Sequence, residues 1–223
     1  GLINLTGSNV NAAAVSGISL VNASATLDNS TVNNATGIGI SAVRNNNSVG
    51  GSSVTLRNGS GVQGLTGGIA GNRFSVISLQ NSTAEGTGAN SFGIRMLEGS
   101  LSATGSTISG GLNGVTVGTD TQVNAVIPTK IILDGTRVEG QTGSALVVGI
   151  NAPNFPTVAD IEVRNRSTLV AGNNTLLEVR QGASVGFLVD NSDLTGNVTV
   201  VSGSSANVTL QNNASLTGDL QNV

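Results

Sequence analysis

Asp134, Arg164, Asp190 and Asp193 are the residues of this chain whose types and spacing come closest to a chemical constellation. Two carboxylates flanking an arginine are the parts of a general acid and base. To invert a glycosidic bond, such a pair must stand about 6.5–9.5 Å apart. The rest of the composition narrows the alternatives. Histidine and cysteine are absent, which removes the usual neutral-pH base, thiolate chemistry, disulfides and the customary zinc ligands. Nine Lys and Arg stand against 12 Asp and Glu, with no basic cluster and no interleaved aromatics, so no nucleic-acid partner is expected. No run approaches the roughly 20 apolar residues of a membrane helix, and no basic-then-apolar leader opens the chain.

Whether the three aspartates and the arginine meet depends on the elements that carry them. Tyr and Trp are absent, Phe occurs 4 times and only 9% of residues are charged. A core of Val, Ile, Leu and Ala suits narrow layers of stacked strands better than a wide globular centre. The stretch TLDNSTVNNATGIGISAV at 26–43 returns, altered, as TLRNGSGVQGLTGGIA, SLQNSTAEGTGANSFGIRM, ILDGTRVEGQTGSALVV and TLQNNASLTGDL. Each copy carries an apolar anchor, one variable residue, then Asn or Gly. The anchors are Leu5, Leu27, Leu56, Leu79, Ala103, Leu133, Val163, Val189 and Leu210, at spacings of 22, 29, 23, 24, 30, 30, 26 and 21.

A period near this length signals a solenoid, and its irregularity selects a parallel β-helix, which tolerates loops of any length between short strands. Three patches of period-two alternation per copy give three strands of three to five residues, hence one triangular coil. The expected fold is all-β: a right-handed parallel β-helix of about nine three-strand coils, a single unit over 1–223. Loops are expected to leave it at 44–53, 118–130 and 150–158. Phe155, in the last of these, is expected to fold back over the adjacent coil, since a lone apolar loop residue usually packs.

The third residue of the phrase has a conformational reason. A tight corner between strands needs positive φ, which Gly and then Asn adopt most cheaply. Asn29, Asn58, Asn81, Asn165, Asn191 and Asn212 are expected there, alternating with Gly7, Gly105 and Gly135. Stacking at about 4.8 Å would let the asparagine amides bond to one another as a ladder. The variable residue faces outward, giving the column Thr6, Asp28, Arg57, Gln80, Thr104, Asp134, Arg164, Asp190 and Gln211, in which like charges are never adjacent.

Asp134, Arg164 and Asp190 therefore fall on three successive coils, with Asp193 past the next corner. Carboxylates on alternate rungs would be about 9–10 Å apart, and the arginine between would hold both ionised, against what a general acid needs. A charge ladder that fixes register, each exposed pair contributing about 0.2–1 kcal/mol, is the preferred reading. No catalytic, cofactor-binding or metal-ligating residue and no cofactor is assigned. Sequons such as NST and NGS follow from an Asn/Ser/Thr-rich composition, GGxGxD calcium repeats are missing, and the threonines form no two-file array.

The phrases VTLRNGSGV, IILDGTRVEG and VTLQNNASLTGDL resemble, along essentially the whole chain, the passenger region of pertactin-like autotransporters, the type V secreted proteins of Gram-negative bacteria. The resemblance implies a fragment of a longer passenger, carried to the bacterial surface, or released, by its own C-terminal membrane β-barrel. Passengers of this kind are adhesins, self-associating rods or stalks for a protease module. Neither a protease module nor RGD is visible here. The expected partners are a host-surface or matrix macromolecule or sister passengers, and no enzyme activity is expected. The alternative is a polysaccharide lyase or hydrolase, since such enzymes share the β-helix scaffold and use acidic residues for calcium and an arginine as base. Export through a barrel would make the short, regular coils at 196–223 the nucleating end. The strand edges at Leu2–Leu5 and Leu216–Val223, lacking a cap, invite end-to-end association.

Overall fold

A computed structural model describes residues 1–43, 50–120, 127–150 and 156–223. Twenty-seven strands and no helix occur among them. They run as nine coils of three strands, the first coil being Leu2–Thr6, Asn9–Ala12 and Ser16–Val21. Every coil pairs in parallel with the next, so the first and third faces are each one 9-stranded sheet. The expected parallel β-helix is thus the observed fold.

Register follows the sequence phrase. The anchors from Leu5 through Leu27, Leu56, Leu79, Ala103, Leu133, Val163 and Val189 to Leu210 are Cα partners on successive coils of the first face. A one-residue slip would turn this column out into water, which is why the pattern fixes the pairing. Second-face positions Val32, Val62, Ile108 and Val138 and third-face positions Ile40, Ile69, Ile94 and Val115 are fully buried against it. Phe187, stacked between Ile161 and Val208, is the largest side chain of this buried core.

Two corners obey different rules. At the first, all nine expected residues have positive φ, from 46° at Asn29 and Asn191 to 57° at Gly105. Just past the second, in the opening residues of the third-face strands, the chain is drawn so close to its neighbours that glycine is required by packing. A Cβ on Gly39, Gly68 or Gly93 would lie 2.6–2.8 Å from the carbonyl oxygen of the glycine one coil on. Asn34 replaces the corner glycine of later coils and stays buried by satisfying itself. Its Nδ2 donates to the carbonyls of Ala14 and Ile38, and its Oδ1 accepts from the Ala14 N–H.

The last two coils are narrower. Three residues, 172–174, link the second and third faces in the seventh coil, whereas the single Gly196, at φ 140°, does so in the eighth. At that step the second face divides into sheets of 7 and 2 strands. The third face also departs from alternation, because Ala70, Thr116 and Val147 point outward yet are only 2%, 6% and 1% exposed.

The three expected loops all connect the third face to the first, at one edge of the prism. Residues 44–49, 121–126 and 151–155, including Phe155, lie outside the described residues. The described flanks shorten the expected spans: Ser53, Gly118, Thr129, Lys130 and Val158 are already in strands.

Candidate functional site

The outward column of the first face is the arrangement singled out above, and the fold does place Asp134, Arg164 and Asp190 as register partners on successive coils. Their bonding differs from the expected ladder, in which Arg164 would serve both aspartates. Arg164 Nε donates to Asp134 Oδ2 at 3.1 Å and its Nη1 to Glu162 Oε1 at 3.3 Å. Asp190 takes its bonds from the following coil instead, Gln211 Nε2 to Oδ2 at 3.0 Å and Asn212 Nδ2 to Oδ1 at 2.7 Å. The arginine bridges Asp134 and its own strand neighbour Glu162, since an extended side chain reaches residue i−2 on the same face as readily as the next rung.

The corner asparagines also behave differently from the expected amide ladder. Asn165 Nδ2 donates to Asp134 Oδ1 at 2.8 Å, and Asn58 Nδ2 to Asp28 Oδ1 at 2.8 Å. With Arg57 Nε on Asp28 Oδ2 at 2.9 Å, a single device appears three times. An aspartate just before one corner is held at both oxygens by an Arg-Asn or Gln-Asn dipeptide one coil on. A charged acceptor is the stronger partner for an amide donor, so the carboxylate wins over a neighbouring amide.

At Asp28 the hydrogen bond from Asn58 holds the carboxyl below its usual range. Desolvation, the next influence in size, opposes it, and the charge and hydrogen bond of Arg57 each add a smaller lowering. The carboxylate oxygens at Asp28, Asp134 and Asp190 are thereby turned to the next coil. Asp193 is separated from the column altogether. It lies on the second face, where its carboxylate accepts from Ser215 Oγ, and faces a polar cleft of about 310 Å³ lined with Arg166, Thr168 and Asn213.

Beneath the column runs a ladder that sequence reasoning missed. Ser30, Ser60, Ser82, Ser106, Thr136, Ser167 and Ser192 follow the corner and are buried at 0–4% exposure. The backbone N–H of Ser82 donates to Ser106 Oγ at 3.2 Å, that of Ser106 to Thr136 Oγ1 at 3.3 Å, and that of Thr136 to Ser167 Oγ at 2.9 Å. Each hydroxyl in turn donates to a carbonyl two or three residues back, as Ser106 Oγ does to Thr104 at 2.8 Å. The signal was present as N-S-T and N-G-S, tripeptides set aside as chance sequons, and as G-S-T at 105–107.

A buried ion pair was equally invisible from spacing. Arg73 Nη1 and Glu98 Oε2 lie 3.3 Å apart with both side chains almost wholly enclosed, at 5% and 1% exposure. They come from two third-to-first-face connections on adjacent coils, and Glu98 Oε1 also accepts from the Ile127 N–H. Among the described residues no three His, Cys, Asp or Glu side chains converge on one point.

The fold and the column together define a parallel β-helix whose first corner is knitted by carboxylate clamps outside and hydroxyls inside. Compared with protein-family models, curated proteins and solved structures, the chain finds no match.

Proposed function

We propose that this chain is part of the right-handed β-helical passenger of an autotransporter, displayed on the bacterial surface or released from it. In this reading it is an adhesive or structural rod, about 40 Å long from nine rungs at about 4.8 Å, with no chemistry of its own. The observation carrying this reading is the fate of the acidic column: Asp28, Asp134 and Asp190 each spend both oxygens on the next coil. Groups that hold register are not at the same time poised for proton transfer. A cysteine-free solenoid whose coils touch only their neighbours also suits folding that proceeds from one end as the chain emerges.

Partners in this reading are a host-surface or matrix macromolecule or sister passengers, and the chain's own membrane β-barrel. The test displays the full-length passenger on cells and compares binding to matrix proteins, glycans and sister cells with that of barrel-only cells. Specific capture that persists in a folded Asp134→Ala/Asp190→Ala variant is the expected result. Absence of capture, together with polysaccharide cleavage abolished by that double substitution, would replace the rod with the lyase or hydrolase.

A further inference from the structure

Gly186 is a glycine that the fold does not require. It sits mid-strand in Ser184–Asp190, faces outward on the first face and has no positive φ. A Cβ there would meet only the Asp160 carboxylate, with Oδ1 at 3.0 Å. That contact is the end of a flexible side chain, unlike the backbone carbonyls that oblige Gly39, Gly68 and Gly93 to be glycine. An unforced glycine inside a strand marks a place where something else approaches the backbone.

What surrounds it is a notch of about 210 Å³. In the same column Asp160 stands one coil before Gly186 and Asn207 one coil after, with Lys130 a further coil back. Glu162, Leu188 and Thr209 form the adjacent column and the second wall. Asp160 and Asn207 are two rungs apart, about 9.6 Å at the spacing of paired strands, with an empty rung between them. Other acidic residues of this face are occupied: Asp134 and Asp190 by clamps, Glu162 by Arg164. By contrast the Asp160 carboxylate accepts no hydrogen bond, and neither it nor Lys130 joins an ion pair among the described residues.

The mixture of groups selects the ligand class. A carboxylate accepts from hydroxyls, Asn207 and Thr209 both donate and accept, Lys130 donates, and the Gly186 backbone with Leu188 supplies an apolar floor. Acceptors and donors around a C–H surface, with Lys130 set against Asp160 and the Glu162 charge met by Arg164, fit a polyhydroxylated ring better than an ion or an apolar side chain. We infer that the Gly186 notch is a carbohydrate subsite that takes one hexopyranose unit of a glycan, its hydroxyls spanning Asp160 and Asn207 and its C–H face over Gly186. The inference deepens the adhesive reading and, as a ligand for the rod, rests on it. Because no tryptophan or tyrosine is present to stack, affinity for a single unit is weak, in the millimolar range.

The 223-residue chain, isotopically labelled, is titrated with the methyl glycosides of glucose, galactose, mannose and N-acetylglucosamine while backbone amide shifts are followed. At least one is expected to give saturable shifts centred on Asp160, Gly186, Asn207 and Thr209. Gly186→Val, which fills the notch with a residue that favours strands, is expected to abolish them with an otherwise unchanged spectrum. Asp160→Ala is expected to weaken binding by about tenfold. Gly61→Val, on the second face where a Cβ would meet only the side-chain ends Thr83 Oγ1 at 3.2 Å and Thr31 Cγ2 at 3.9 Å, leaves binding intact. No saturable shift with any of the four sugars, or the same shifts in Gly186→Val, overturns the subsite. Saturation by butylammonium in place of a sugar overturns the ligand class. Displayed cells that adhere while the notch stays empty would sink this inference and leave the rod standing; a notch that fills while displayed cells capture nothing would do the reverse.

Discussion

At Asp28 one carboxylate collects an amide and a guanidinium from the next coil, and its charged form is favoured in the folded chain. A folded-state pKa below the unfolded value means that the contribution is complete above the ordinary carboxylate pKa of about 3.9 and is lost as pH falls through the lower, folded value. The urea midpoint is therefore expected to drop on acidification from about pH 5 to pH 2, and Asp28→Asn should flatten part of that limb. An identical acid limb in the variant would remove the clamp from the stability of the fold. The two donors are not equivalent, because the ninth coil uses Gln211 where others use Arg57 and Arg164, whereas the amide beside it is Asn each time. Arg164→Gln should cost less than about 0.5 kcal/mol. Asn165→Ala forces a Cβ-bearing residue without a local hydrogen bond into φ 56°, and about 1–2 kcal/mol should be lost in the same assay.

Within the corner as an element, the hydroxyl ladder carries more than the exposed clamps. Ser106 Oγ is the acceptor for a buried N–H, that of Ser82. Ser106→Ala should cost about 1–3 kcal/mol, since an orphaned donor loses its partner and gains no water. Ser106→Thr should be tolerated, because Thr136 holds the equivalent place one coil on with its hydroxyl bonded in the same way. Urea unfolding of the two variants side by side checks this, and equal losses would mean that volume and not hydrogen bonding decides. At the opposite extreme, the buried Arg73–Glu98 pair joins two successive turns at the edge from which the inserts leave. Its two charges are enclosed together, which compensates their desolvation only while both are present.

For the molecule as a whole, stability is a sum over rungs and their interfaces. Deleting 196–223 removes strands Asn197–Val200 through Leu220–Gln221, and the surface exposed on unfolding, hence the urea m-value, should fall by roughly an eighth. If these coils nucleate folding, stopped-flow refolding of the shortened chain should slow more than its unfolding accelerates. Refolding at the parent rate would place the nucleus elsewhere. Leu2 in the first coil and Leu220 in the ninth are exposed, at 68% and 53%.

Periodicity in the sequence determined the β-helix, its nine coils, the anchor register and the residue that opens each first corner at positive φ, but not the second positive-φ residues Gly59, Arg166 and Asn213 of the longer corners. Those features are local or repeat at each coil, and a signal repeated nine times survives substitutions in single copies. Side-chain partners were decided only by the tertiary structure. Whether Asn165 bonds to another asparagine or to Asp134, and whether Arg164 serves one aspartate or two, depends on which acceptor lies a few ångströms away across coils about thirty residues apart. The hydroxyl ladder was written in the sequence but read as composition, because a serine's burial has no periodic signature of its own. Arg73 with Glu98, the narrowing at Gly196 and the notch at Gly186 each occur once, and a single departure from a repeat acquires meaning only when the neighbouring coils are in place.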